Sequence, residues 1–212
     1  MNNIILRKED FIFDTQKQNI FFTSDTHFGH KNILKYCDRG FSNIDDMNEE
    51  LIRRWNSVVK PNDIVFHLGD IAMNCAVSKT INILNRLNGI KYLIIGNHDW
   101  EFICKESIQN CFHYITPKMR IRINNQLIIL NHEPLLCYEG SFNELPKMSW
   151  QLYGHVHSGK QQTTGMDLER LHVCFPGQYD VGVDNNNYTP ISFDEVKKII
   201  NQQYNDYYNI AE

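Results

Sequence analysis

Two rhythms of apolar and polar positions run through this chain. Short apolar runs, Ile20-Phe21-Phe22, Ile64–Leu68, Tyr92–Ile95, Leu127–Leu130 and Trp150–Tyr153, have the length and texture of buried strands. Between the first three lie stretches with helical spacing. His30–Cys37 puts Ile33, Leu34 and Cys37 on one face and is broken by Asp38-Arg39-Gly40-Phe41. Asp45–Val59 opens on acidic residues, which suit the positive end of a helix dipole, and carries an apolar stripe of Met47, Leu51, Ile52, Trp55 and Val58-Val59. Pro61-Asn62-Asp63 turns the chain, and Val77–Leu87 predicts another helix closed by Asn88-Gly89.

The second half changes character. Arg120–Ile123 and Leu127–Leu130 flank Asn124-Asn125-Gln126, a hairpin signal. Leu171–Phe175 and Asp180–Val183 read as two more strands. Ser192-Phe193-Asp194-Glu195 is a capping box that starts a last helix through about Ile200. The Asn-, Tyr- and Gln-rich tail beyond it is expected to fray or dock loosely. At the other end, Ile4-Ile5-Leu6 and Phe11-Ile12-Phe13 suggest an edge strand or hairpin. Strand, helix, strand, helix, strand with polar residues at each strand's carboxyl end is α/β logic, and sites in such sheets lie beyond those ends.

At 212 residues, without repeat, linker or low-complexity tract, the chain is expected to be one domain, 1–212, able to bury a real core. Apolar and charged fractions of 42% and 22% belong to a globular protein, and a net charge of −4 argues against a dedicated duplex-binding surface. The N-terminus Met1-Asn2-Asn3-Ile4 has neither the charged region nor the apolar core of a signal peptide, and no run reaches the roughly 20 residues of a membrane helix. The six cysteines show no C-x-x-C spacing, so reduced thiols and a cytoplasmic location are expected, bacterial or in the host cytoplasm if the gene is phage-borne.

The chemistry gathers where the apolar runs stop. Ile20-Phe21-Phe22 gives way to Ser24-Asp25-Thr26-His27, and residues two apart on a strand share a face, so Asp25 and His27 are expected to point into one space. The other runs stop at Gly69-Asp70, Gly96-Asn97-His98-Asp99, Asn131-His132 and Gly154-His155-Val156-His157. A glycine before the polar residue lets the backbone turn sharply or a ligand come close. Each step has a plain alternative taken singly: a turn at Gly69-Asp70, a left-handed turn residue at Asn97, a core histidine at His132, loop histidines at 155 and 157. Five in this order make chance a poor explanation.

D-x-H, G-D, G-N-H-D, a lone His and G-H-x-H in that order resemble the calcineurin-like metallophosphoesterases, from about Ile20 to Val183. The run S-D-T-H-F-G-H-K-N-I with Tyr36-Cys37, and the later Gly182-Val183-Asp184, Tyr188 and Pro190, resemble small single-domain bacterial and phage members. The resemblance implies an α/β (α+β) fold, a two-sheet β-sandwich flanked by helices in a four-layer architecture. Periodicity alone does not distinguish that from a doubly wound sheet. It also implies a dinuclear centre, with one metal held by Asp25, His27 and His157, the other by Asn97, His132 and His155, and Asp70 bridging both. Imidazole and oxygen ligands together favour divalent transition metals, Mn first, with Fe, Zn or Ni as alternatives. The implied reaction is in-line attack of a metal-bridging hydroxide on a phosphate ester.

By the same resemblance His98 is the catalytic residue at the leaving group, in preference to a supporting hydrogen bond, while Asp99 orients a neighbour or begins a helix. One departure stands out. Ile71-Ala72-Met73-Asn74 follows Gly69-Asp70 where the Ser/Thr protein phosphatases have G-D-x-V-D-R-G, which leaves His98 without that Asp and speaks against protein phosphatase activity. Arg39 is the candidate substrate-binding residue, since its fork fits phosphate oxygens, with a surface turn arginine as the equal alternative. His30 is near the site in sequence and His67 is expected to pack within its strand. The expected function is hydrolysis of small phosphate esters, diesters in preference to monoesters, with a nucleotide as candidate substrate. The alternatives are a metal-dependent nuclease, for which the sequence cluster Lys31, Lys35, Arg39, Arg53 and Arg54 is the only basic signal, and a non-catalytic scaffold that binds partner proteins. Oligomeric state is left open.

Overall fold

The strand-length runs fold as two packed sheets. The computed structural model describes residues 11–143, 147–158, 174 and 176–210; Ile4–Leu6 and most of the strand expected at Leu171–Phe175 lie outside them. The first sheet contains β2 (Ile20–Thr23), β3 (Ile64–His67), β4 (Ile90–Ile94) and β5 (Tyr114–Thr116), all parallel, with β10 (Ile191–Ser192) antiparallel on its edge, in the order β10-β2-β3-β4-β5. The second contains β1 (Phe11–Phe13), β6 (Lys118–Ile123), β7 (Gln126–Asn131), β8 (Trp150–Tyr153) and β9 (Gln178–Asp180), in the order β1-β6-β7-β8-β9. The β6–β7 hairpin turns at Asn124 and Asn125, both left-handed, as a two-residue connection between right-twisted strands requires.

Period-two alternation explains why β2, β3 and β4 read as unbroken apolar runs. Ile20, Phe22, Ile64, Phe66, Tyr92 and Ile94 point between the sheets, where they meet Met119, Ile121, Ile128, Leu130 and Leu152. Their neighbours Phe21, Val65 and Leu93 point the other way, onto helices. Those helices are α1 (Ile33–Tyr36), α2 (Ile44–Val58) and α3 (Val77–Arg86), which bury Ile33, Met47, Leu51, Trp55, Ile83 and Leu84. Asn43 caps α2 by accepting the backbone N–H groups of Asp45 and Asp46 at 2.9 and 3.0 Å.

Two short helices, α4 (Trp100–Ile103) and α5 (Glu106–Gln109), occupy a segment whose sequence reads as loop, since four residues show no periodicity. The capping box at Ser192 and Glu195 forms: the Ser192 hydroxyl accepts the Glu195 N–H at 3.2 Å, and the Glu195 carboxylate accepts the Ser192 N–H at 3.3 Å. The helix it opens, α6 (Phe193–Ile210), runs on past Ile200 through the tail expected to fray or dock loosely. Val196, Ile200 and Tyr204, four apart, anchor it on the inter-sheet core. Among the described residues, no helix is long and apolar enough to cross a membrane.

Candidate metal centre

The carboxyl ends of β2, β3, β4, β7 and β8 deliver the polar steps to one place. Asp25 and His27 come from the loop after β2, Asp70 from beyond β3, Asn97 and His98 from beyond β4, His132 from β7, His155 and His157 from β8. The strand alternation expected of Asp25 and His27 is not what aims them. β2 ends at Thr23, and both residues are left-handed, with φ of 58° and 49°. Asp70, His155 and His157 share that conformation, at 57°, 72° and 48°. Left-handed backbone at side-chain-bearing residues costs roughly 1–3 kcal/mol each and persists where the surroundings impose it, often at functional sites.

The atoms form two groups about one oxygen. Asp25, His27 and His157 bring three potential ligand atoms within 4.8 Å of one another, and Asp70, His132 and His155 do the same. Asp70 Oδ2 stands 3.6 Å from His27 Nε2 and 3.5 Å from His132 Nε2, between the groups. Its other oxygen, Oδ1, is engaged by the His98 backbone N–H at 2.9 Å. Asn97 Oδ1 lies 2.9 Å from His132 Nε2 and 3.0 Å from His155 Nδ1, inside the second group. The hydrogen bonds around the rings leave specific nitrogens facing inward. His132 donates through Nδ1 to the Leu68 carbonyl at 2.7 Å, which turns Nε2 to Asp70 and Asn97. His157 donates through Nδ1 to Asp184 at 2.6 Å, which turns Nε2 to Asp25.

These residues fit divalent cations by an independent criterion. Asp25 Oδ1 and both nitrogens of His27 are buried with no hydrogen-bond partner among the described residues, a costly arrangement unless something else satisfies them. The charges agree. Burial disfavours the Asp70 carboxylate, yet the His132 and His27 imidazoles and the His98 N–H outweigh it and hold its pKa well below the usual range. Burial likewise disfavours an imidazolium at His132, but Asp70 and Asp25 raise its pKa to about 9; at His157, Asp25 and Asp184 raise it to about 11 against the same penalty. The cluster of carboxylates draws in positive charge, as protons on these rings or as cations in their place.

Glycines let the loops close in. A Cβ at Gly96 would collide with the Asp70 carboxylate, and one at Gly154 with Ser24 Oγ and Asp25 Oδ2. Asp99 knits two of these loops together. Fully buried, it accepts the N–H groups of Asp70 and Gly96 on Oδ2, at 2.9 and 2.8 Å, and of Ile71 on Oδ1, at 2.9 Å. Its backbone also begins α4, so both roles open in the sequence are filled. His98 sits at the rim, its ring 5.7 Å from that of His27. No carboxylate among the described residues hydrogen-bonds the His98 ring, in line with the missing Asp of the G-D-x-V-D-R-G pattern.

His67, His30 and Arg39 surround the centre in different roles. His67 is a core histidine: Nδ1 accepts the Gly69 N–H, Nε2 meets Thr26 Oγ1 at 3.0 Å, and burial pushes its pKa down to about 3. His30 is buried beside His27, with ring centroids 5.5 Å apart. Arg39, expected to grip phosphate, has no side-chain exposure and binds Asp184 and the backbone of the β2 loop. Asp184 itself carried no role in the sequence reading. It sits in Gly182-Val183-Asp184, four residues beyond the end of β9, where a glycine precedes the aspartate by two positions rather than one as in Gly69-Asp70.

Beside the two groups lies a cavity of about 270 Å³, lined by Met73, Asn74, Cys75, His98, Glu101 and Phe102 among others. None of the basic residues clustered in sequence lines it; Arg53 and Arg54 both pair with Glu50, and Arg39 is buried.

The family model described as calcineurin-like phosphoesterase matches residues 18–150. An uncharacterized protein of Methanocaldococcus jannaschii is 34% identical over 186 residues, which cover 86% of this chain and 92% of that one. The gene 66 protein of Mycobacterium phage L5 is 26% identical over 180 residues, 73% of this chain and 85% of its own. A crystal structure of a protein of unknown function from Aquifex aeolicus superposes with a TM-score of 0.64 at 25% identity, covering 86% of this chain and 99% of that chain.

Proposed function

Since the chain belongs to the calcineurin-like phosphoesterases, a family of metal-dependent phosphoester hydrolases, we propose that it hydrolyses small phosphodiesters, nucleotides among them, at a dinuclear centre. Asp25, His27 and His157 would hold one divalent transition-metal ion, Asn97, His132 and His155 the other, and Asp70 both, with manganese the first candidate. The observation that carries this reading is the position of Asp70 Oδ2, nearly equidistant from His27 Nε2 and His132 Nε2 at 3.6 and 3.5 Å. Two such cations, when bound, supply Lewis acidity for a phosphate oxygen and lower the pKa of water enough to furnish a nucleophile near neutral pH.

The chain's own residues do the rest. Asp70 gives one oxygen to the centre while the His98 N–H holds the other, so the carboxylate cannot rotate away. Asn97 contributes a neutral oxygen, which leaves more positive charge for the phosphate than a carboxylate would. His98, at the rim of the cavity, is placed to hand a proton to the departing ester oxygen.

The cavity supports small substrates over polymers. At about 270 Å³ it suits a compact esterified alcohol, and its Glu101 carboxylate would repel the next phosphate of a polynucleotide. The pairing of Arg53 and Arg54 with Glu50 points the same way.

The test is Mn²⁺-dependent hydrolysis of a chromogenic phosphodiester, a chromogenic monoester and a single-stranded oligonucleotide, with Asp70→Ala alongside. The reading expects diester turnover that requires metal, exceeds monoester turnover and is abolished in Asp70→Ala. Turnover of the oligonucleotide alone would replace it with a nuclease. Absence of both metal and turnover would replace it with a scaffold.

A further inference from the structure

Arg39 is where sequence expectation and structure part most clearly, and its surroundings form a chain of contacts into the proposed centre. It sits in the turn after α1, between Asp38 and Gly40, both left-handed, with φ of 45° and 65°. That turn drives the side chain inward rather than toward solvent.

All five N–H donors of the guanidinium find acceptors. Nε reaches Asp184 Oδ1 at 2.8 Å; Nη2 reaches Asp184 Oδ2 and the Asp25 carbonyl, both at 2.7 Å; Nη1 reaches the Thr26 carbonyl at 3.0 Å and Met47 Sδ at 3.6 Å. Asp184, 5% exposed in its side chain, is therefore gripped on both oxygens. Its Oδ2 also accepts the Nδ1–H of His157 at 2.6 Å.

We infer that Arg39 and Asp184 act as positioning residues for the centre: the buried chain Arg39–Asp184–His157 fixes the tautomer and aim of His157, while the same guanidinium pins the Asp25–His27 loop. This rests on the dinuclear reading above.

The chemistry is specific. A carboxylate only accepts, so Asp184 forces the proton of a neutral His157 onto Nδ1 and leaves the Nε2 lone pair toward Asp25 Oδ1, 4.0 Å away. The bonds to the Asp25 and Thr26 carbonyls hold the left-handed loop that presents Asp25 and His27. One arginine thus braces all three residues of the first group and touches none of the second. Lysine, a point charge with three donors, cannot span the carboxylate and both carbonyls.

Cys37 lies at the same junction, its Sγ within 4.8 Å of His157 and Asp184 atoms. A cation among those three would face a guanidinium already bonded to the carboxylate, so the junction is a brace rather than a third metal site.

Asp184→Asn tests this. Its single accepting oxygen cannot serve both sides: at the Oδ2 position it keeps Arg39 Nη2 and His157 Nδ1 but sets the NH₂ against Arg39 Nε–H, and at the Oδ1 position it keeps Nε but sets the NH₂ toward Nη2 and His157. Either way the brace loses a bond and the carboxylate charge that holds His157. Calorimetric titration of metal-free protein with Mn²⁺ is the first readout, and the ¹⁵N–¹H imidazole spectrum of the metal-free protein, which reports the hydrogen bond at each ring nitrogen, is the second. The wild type is expected to bind two ions. Asp184→Asn is expected to bind one of them about 10–100-fold more weakly, as loss of a ligand's outer hydrogen-bond partner typically does. The other ion should be unaffected, and the His157 Nδ1–H signal should lose the low-field shift that a short bond to a carboxylate gives it. Asp184→Glu should recover part of the loss, Arg39→Lys should resemble Asp184→Asn, and Cys37→Ser should bind like the wild type.

Two full-strength ions in Asp184→Asn would overturn the inference and leave the dinuclear reading standing. So would equal weakening at both positions, the mark of a general structural defect, or an ion lost in Cys37→Ser. A wild type that binds no Mn²⁺ would overturn both.

Discussion

Asp99→Asn is the sharpest probe of how the loops around the centre are held. Asp99 is fully buried and satisfies three backbone donors, two on Oδ2 from Asp70 and Gly96 and one on Oδ1 from Ile71. An asparagine has one accepting oxygen. If that oxygen stays with the Asp70 and Gly96 pair, the NH₂ meets the Ile71 N–H donor to donor. A buried orphan donor costs about 1–3 kcal/mol, and the two remaining bonds lose their charge assistance, so about 2–4 kcal/mol is expected in all. Alanine would orphan all three donors, about 3–9 kcal/mol, which rivals the roughly 5–15 kcal/mol that holds a typical domain together. The asparagine variant is therefore the informative one. Thermal unfolding in chelator should drop by roughly 4–16 °C for a chain of this size. Exchange of the Asp70, Ile71 and Gly96 amide hydrogens should quicken together. A change below about 0.5 kcal/mol with those amides still protected would show that Asp99 does not hold these loops.

Other substitutions probe the loops, the core and the metal centre. Gly154→Ala places a methyl against Ser24 and Asp25, so Mn²⁺ affinity measured by titration should fall at least about tenfold, more than its effect on unfolding explains. Phe22→Ala removes a ring fully buried between the sheets and stacked on Phe66 at 5.5 Å; denaturant unfolding should show a loss of about 3–5 kcal/mol with little change in the metal affinity of the folded protein. Chelation of the wild type should lower its unfolding temperature, because a ligand held at about 100 times its dissociation constant stabilises by about 2.7 kcal/mol per site. An unfolding temperature indifferent to chelator would contradict the fit of the two ligand groups to cations.

The strands and the residues at their ends were the legible part of this chain. β2, β3 and β4 lie between the second sheet and the helices, so both faces are apolar and the runs stand out, and the turn at each carboxyl end needs glycine or a polar residue. What stayed hidden depends on distance along the chain. Arg39 and Asp184 are 145 residues apart, and an arginine in an Asp-Arg-Gly turn reads the same whether it points out or in. The parallel pairing of β1 with β6, with Phe11 opposite Ile121, joins segments that no local pattern connects. The end of the last helix is obscured for a different reason: its Asn- and Gln-rich surface masks the 4-residue spacing of Val196, Ile200 and Tyr204 that seats it.

The bridging position of Asp70 is the claim on which the proposed function turns, and electron paramagnetic resonance of the Mn²⁺-loaded protein tests it most directly. Two ions sharing the Asp70 carboxylate lie close enough for exchange coupling. A coupled spectrum is expected at two equivalents, replaced in Asp70→Ala by the six-line signal of isolated Mn²⁺ or by no bound metal. A wild-type spectrum of isolated ions at two equivalents would contradict it, as would a coupled spectrum that survives Asp70→Ala.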